Sequence, residues 1–253
     1  MLGKLWKYDF KATWLYLILS YVILVGYTIV VKLTGIEIGM PKTVESFTWL
    51  MRLLLYVGFI IVAIGVQLFT YVQIIRRFYK NMFSDEGYLT NTLPVKPWEL
   101  LVSKILIGAF WIALTSLVMA LCLTVLGTAL PQELRRLFSG LFWDVMRKVP
   151  LSTFIFTVIL LILSPFQSVL TLYACICAGQ LFSKMRILAA VLIYLGYKVV
   201  ESVIGSLFSA ILMRFTDEYG TIQLIYGLIL SLAIIAGGYF ICHLVLNKHL
   251  NLE

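Results

Sequence analysis

The chain has 253 residues, 62% of them hydrophobic and 13% charged, with a net charge of +8 and a mean hydropathy of +1.00. A soluble domain is about half apolar and about a quarter charged, so this composition excludes an ordinary water-soluble enzyme and points to an integral membrane protein. The basic residues gather at the ends of apolar runs, where they anchor spans at the headgroups; no nucleic-acid partner is expected.

In chain order, residues 1–13, "MLGKLWKYDFKAT", place Leu2, Leu5, Trp6 and Phe10 at helical spacing, with Lys4, Lys7, Asp9 and Lys11 on the other face. This pattern predicts an amphipathic helix lying in the membrane interface. Six apolar runs follow, near 14–31, 53–75, 105–127, 151–177, 187–212 and 221–246. Each is close to the roughly 20 residues that a spanning helix needs, and none alternates as a barrel strand would. The expected fold is therefore an all-α integral membrane protein: an interfacial helix, then a single transmembrane domain over 14–253. Between spans 3 and 4, residues 132–148 carry an apolar stripe of Leu134, Leu137, Phe138, Leu141, Phe142, Val145 and Met146 with charges elsewhere, which predicts an external amphipathic helix.

Orientation follows from Lys and Arg near the span ends. The segments on the side of the N-terminus carry 11 basic residues and those on the opposite side 8. An even number of spans then puts both termini in the cytoplasm. The first apolar run is too long for a signal-peptide core and is expected to be retained.

Several chemistries lack their residues. There is no GxxxxGK[ST] phosphate loop, no HExxH and no GxSxG. His243 and His249 are six apart, a spacing that does not bring two ligands to one helix face. Cys122, Cys175, Cys177 and Cys242 all sit in apolar runs without a CxxC, as small buried hydrophobes do. No metal site and no enzyme chemistry is expected within this chain.

The polar interruption at 76–100, "RRFYKNMFSDEGYLTNTLPVKPWEL", stands out against the apolar runs around it. Arg76, Arg77 and Lys80 close span 2. Ser84 is placed to N-cap a short helix whose first turn holds Asp85 and Glu86. Pro94 stops that helix, and Pro97 opens span 3 with Glu99 behind it. A capped helix parallel to the membrane, held between two rigid spans, is the expectation.

The run "FYKNMFSDEGYLTNTLPVKPWELLVSKIL" resembles the cytoplasmic segment of ATP-binding-cassette permeases of the ABC-2 type, particularly small six-span permeases of Gram-positive bacteria. The N-terminal "LGKLWKYDFKAT" is similar to their interfacial connecting helix. The resemblance implies the type V exporter fold in the bacterial cytoplasmic membrane, with ATP and Mg bound by a separate ABC ATPase present in two copies. It also implies a second permease, as homodimer or heterodimer. The coupling helix that docks on the ATPase would carry Ser84, Asp85, Glu86, Gly87, Tyr88 and Leu89. Broken or re-entrant helices between spans 5 and 6 are implied as well, near the polar turn Arg214–Tyr219.

Span 5 holds the one charged pair inside an apolar run. Lys198 lies eleven residues from Ile187, about 16 Å along a helix and near the bilayer centre. Glu201 follows at i+3. Such charges avoid lipid, and Ser202, Ser206 and Ala210 permit close helix approach, so span 5 is expected to be buried, with the interface between two permeases as one place for it. Lys198 and Glu201 line a polar substrate path or form an ion pair that locks the bundle; both readings stay open. Gln67, Thr70 and Gln73 in span 2, and Ser164 and Gln167 beside Pro165 in span 4, are further path candidates or inter-helix glue. The apolar, aromatic interior favours an amphiphilic cargo: an antimicrobial peptide, a lipid-like molecule or a hydrophobic drug. Two alternatives to an exporter are a membrane sensor or immunity protein that sequesters a peptide, and the substrate-binding membrane subunit of an importer.

Overall fold

A computed structural model describes residues 2–33, 47–83, 97–127, 150–182, 185–215 and 219–248. They form six helices: α1 (Leu2–Leu33), α2 (Phe47–Phe83), α3 (Pro97–Gly127), α4 (Leu151–Gly179), α5 (Arg186–Phe215) and α6 (Tyr219–Lys248). Each contains a stretch long and apolar enough to cross a membrane. The six expected runs all fall inside these helices, which extend beyond them by a few residues in most cases. Among the described residues there is no strand. The expected coupling residues Ser84–Leu89 and the external amphipathic helix at 132–148 lie outside the described residues.

Lipid as solvent inverts the usual helix pattern. On α1 a buried stripe runs through Thr13, Leu17, Tyr21, Leu24, Thr28 and Val31, at spacings of three and four, with Ser20 buried beside it, whereas Leu15, Ile18, Leu19, Val22 and Ile29 are exposed. The protein-facing stripe is the more polar one. Its hydroxyls are satisfied without water: Ser20 donates to the Leu17 carbonyl at 2.7 Å and Thr28 to that of Leu24 at 2.8 Å. No helix boundary falls at residue 13, so the expected interfacial helix is the start of α1 itself. Asp9 also departs from expectation. It is buried, 4% exposed, rather than sharing a solvated face with Lys7 and Lys11, which are exposed.

The chain divides into two compact units, 10–73 with 111–149, and 1–9 with 74–110 and 150–253. In the first, Tyr21 of α1 hydrogen-bonds Thr115 of α3 at 2.7 Å, and Thr70 of α2 meets the same hydroxyl at 3.2 Å. Tyr27 donates to the Leu55 carbonyl at 3.1 Å, passing over Gly58, where a Cβ would collide with its ring.

In the second unit α4 packs along α6 and, less extensively, along α5. Its core gathers at one end, where Phe78, Met82, Leu101, Val169, Cys177 and Cys242 are each 0–1% exposed. α4 runs through Pro165, which has no N–H to offer the Leu161 carbonyl. The Ser164 hydroxyl donates to that carbonyl at 3.0 Å, the side-chain repair by which a proline is tolerated in a span. α5 and α6 are each continuous over 30 residues, so no broken or re-entrant helix lies among the described residues there. Of the polar segment at 214–219, Arg214 and Phe215 end α5 and Tyr219 opens α6; residues 216–218 lie outside the described residues.

Candidate functional site

Asp9 sits about 10 Å into α1 at 1.5 Å per residue, and three side chains converge on it. Arg77 donates to its Oδ1 from Nε at 3.1 Å and from Nη2 at 2.9 Å. Asn81 donates from Nδ2 to the same oxygen at 3.3 Å, and Lys104 Nζ pairs with Oδ2. Asp9 and Lys104 side chains are each 6% exposed and Arg77 is 29% exposed. Arg77 and Asn81 stand four apart on α2 and so share a face; Lys104 enters from α3. An isolated charge here would be costly to bury, whereas a carboxylate with both oxygens bonded to cations is tolerated.

A second layer holds the first. Tyr173 of α4 donates to the Lys104 carbonyl at 3.3 Å and stacks on Phe78, one residue past Arg77, with ring centroids 3.8 Å apart. Gly108 makes this approach possible, since a Cβ there would lie 3.0 Å from a Val169 methyl and 3.2 Å from the Tyr173 hydroxyl. Trp6 meets Phe110 edge-on at 6.5 Å, fastening the start of α1 along α3. Four helices thus meet around one carboxylate. In a chain that crosses the membrane with each helix in turn, the start of α1, end of α2, start of α3 and end of α4 share one face. α2 ends at Phe83, two residues after Asn81, and α3 begins at Pro97, seven residues before Lys104.

Sequence reasoning missed Asp9, Asn81, Lys104 and Tyr173. The available signal was Asp9 itself, the sole acidic residue in the first 36, set against Lys104 immediately before an apolar run.

The predicted residues divide. Thr70 is fully buried, donating to the Val66 carbonyl at 2.9 Å and meeting Thr115; it ties helices together and is not open to a path. Gln67 is half-buried on the same helix. Lys198 and Glu201 are brought together at 2.7 Å, and Gln167 Nε2 of α4 reaches Glu201 at 3.2 Å. The expectation that span 5 is buried fails within this chain: no described residue of α5 is buried, and the Lys198 side chain is 47% exposed. The reason is that α5 packs on α4 and α6 by one narrow side only, and the apolar remainder needs no protein cover in lipid. Between α5 and α6 lies an open groove of about 510 Å³ lined by Gly205, Ser206, Ser209, Gly220 and Gln223, with Phe208 stacked on Tyr226 at 3.9 Å beside it. All four cysteines are free and buried, as expected of small hydrophobes. Among the described residues no His, Cys, Asp and Glu cluster could hold a metal.

No protein-family model, curated protein or solved structure matches the chain. The fold and the buried polar contacts therefore define its class by themselves: six apolar helices, polar toward the protein and aliphatic outward, make this a multi-pass membrane protein.

Proposed function

We propose that the chain is the permease subunit of an ATP-driven ABC exporter, driven by a separate cytoplasmic ATPase and carrying an amphiphilic or hydrophobic cargo. The observation that carries this reading is the Asp9 cluster. It fastens the start of α1 to the end of α2 and the start of α3, the two anchors of the segment that resembles a coupling helix. A push on residues 84–96 by an ATPase is then passed to three spans together, because a packed, ion-paired junction moves as a body rather than deforming. ATP binding closes the ATPase pair, the coupling segments follow, and the spans reorient around the cargo. The greasy surfaces of the spans suit an amphiphile entering from the bilayer rather than a sugar or an ion.

The test is co-purification from detergent with an ABC ATPase encoded beside this gene. Wild-type chain retains the ATPase, and Glu86→Arg and Tyr88→Ala each release it. Equal retention by all three chains removes the docking assignment, and the absence of any ATPase partner removes the reading.

A further inference from the structure

The groove between α5 and α6 lies toward the end of α5 and the start of α6, away from the Asp9 junction. Its walls are residues 205–209, in the last third of α5, and residues 220–227, in the first third of α6. Counted from Tyr219 at 1.5 Å per residue, Gln223 stands about 6 Å and Gly227 about 12 Å along the helix. The groove therefore runs through most of one leaflet, whose hydrocarbon is about 15 Å deep. Phe208 and Tyr226 stack across it with ring centroids 3.9 Å apart and hold the two helices at a fixed spacing. Ser206, Gly220 and Gln223 are exposed, so it opens sideways toward lipid. Glycine creates the space: a Cβ at Gly205 or Gly220 would meet nothing within 4 Å, so neither serves close helix packing. A volume of about 510 Å³ with an apolar lining and a few polar groups is that of a cleft for one small amphiphile.

The polar groups select its chemistry. Ser206 donates to the Val203 carbonyl and Ser209 to the Ser206 carbonyl, each at 2.9 Å. With those protons committed, both hydroxyl oxygens are left to accept. The Gln223 amide meets no hydrogen-bonding partner among the described residues, and an amide left so in hydrocarbon is costly. No Lys, Arg, Asp or Glu is among the described lining residues. A charged headgroup would enter without a counter-charge, whereas a hydroxyl or amide N–H finds acceptors on Ser206, Ser209 and Gln223. We propose that this groove is the subsite that holds the cargo at the membrane face opposite the Asp9 junction, and that the cargo headgroup is neutral and donor-rich: an acylated polyol, sugar or amide rather than a phospholipid or fatty acid. The word cargo rests on the permease reading; the preference for a neutral amphiphile does not.

The test is photolabelling of the full-length chain in phosphatidylcholine vesicles, using a monoacylglycerol with a diazirine in its acyl chain. Labels map to residues 205–209 and 220–227, and unlabelled monoacylglycerol competes whereas lysophosphatidic acid of the same chain length does not. Gly205→Leu and Gly220→Leu add bulk where the fold leaves space and cut labelling there by at least about tenfold. Gly196→Leu, equally open on the same helix but outside the groove, labels as wild type does. Labelling spread evenly over the spans, or unchanged in both filled variants, overturns the site; equal competition by lysophosphatidic acid overturns the neutral headgroup. In the ATPase complex, monoacylglycerol stimulates ATP turnover with wild type and not with Gly205→Leu. Groove labelling without that stimulation makes the occupant a resident lipid and overturns the cargo assignment. If no ATPase co-purifies while the groove still labels selectively, the permease reading falls and the neutral-amphiphile site stands, so the two failures are told apart.

Discussion

Asp9 accepts from Arg77, Asn81 and Lys104 where water has almost no access, and that governs what its loss should do. Removing one partner from a buried ion cluster leaves uncompensated charge and destabilises by about 3–5 kcal/mol. Asp9→Asn is therefore expected to melt earlier than wild type. Arg77→Gln should have a smaller effect, because Arg77 is 29% exposed and its charge is partly screened. Replacing the buried pair together, Asp9→Leu with Lys104→Met, should recover much of the loss of Asp9→Leu alone. Heating with a thiol-reactive fluorophore measures all of these, since the four cysteines are buried in the fold. Additive losses in the double variant would show that the two side chains do not act as a pair. In the other unit, Thr115→Val removes the hydroxyl shared by Tyr21 and Thr70 and should cost about 0.5–1.5 kcal/mol, since the Tyr21 hydroxyl retains the Trp111 carbonyl at 3.5 Å as acceptor.

At the scale of the element, the helices were legible in the sequence and their inner faces were not. A run of twenty apolar residues states that a span exists, and all six runs fall inside helices. It does not state which side turns inward, because in lipid the outward side is as apolar as the core. Asp9 is the example: its spacing groups it with the lysines on one face of the helix, while its partners lie 68 to 95 residues away on other helices. Lys198 and Glu201 were found by their spacing in the sequence, yet the exposure of α5 followed only from how narrowly it meets α4 and α6. Glycines give the sharpest element-scale test. At Gly179 a Cβ would lie 2.8 Å from the Arg186 carbonyl oxygen and 2.7 Å from the Ala190 Cβ, in the tight passage from α4 to α5. At Gly196 nothing lies within 4 Å. Gly179→Val is expected to lower the melting temperature and the yield of folded protein. Gly196→Ala should leave both unchanged or raise them slightly, by up to about 1 kcal/mol, since glycine weakens a helix interior. Equal behaviour of the two variants would contradict the close α4–α5 approach.

At the scale of the whole molecule, the proposed drive would enter the bundle through one ionic junction, where Asp9 ties the start of α1 to the end of α2 and the start of α3. The resemblance that implies the drive lies in residues 78–106, of which 84–96 lie outside the described residues; the junction that would receive the drive is described on both sides of them. The cargo was not legible, because greasy walls favour amphiphiles as a class without selecting one. The most direct measurement is ATP turnover by the ATPase–permease complex in proteoliposomes, wild type against Asp9→Asn, with complex formation measured on the same samples. The account predicts that Asp9→Asn still binds the ATPase, because the docking residues are untouched, but loses permease-dependent turnover by at least about tenfold, roughly 1.4 kcal/mol of activation free energy. Unchanged turnover in an intact Asp9→Asn complex would contradict it.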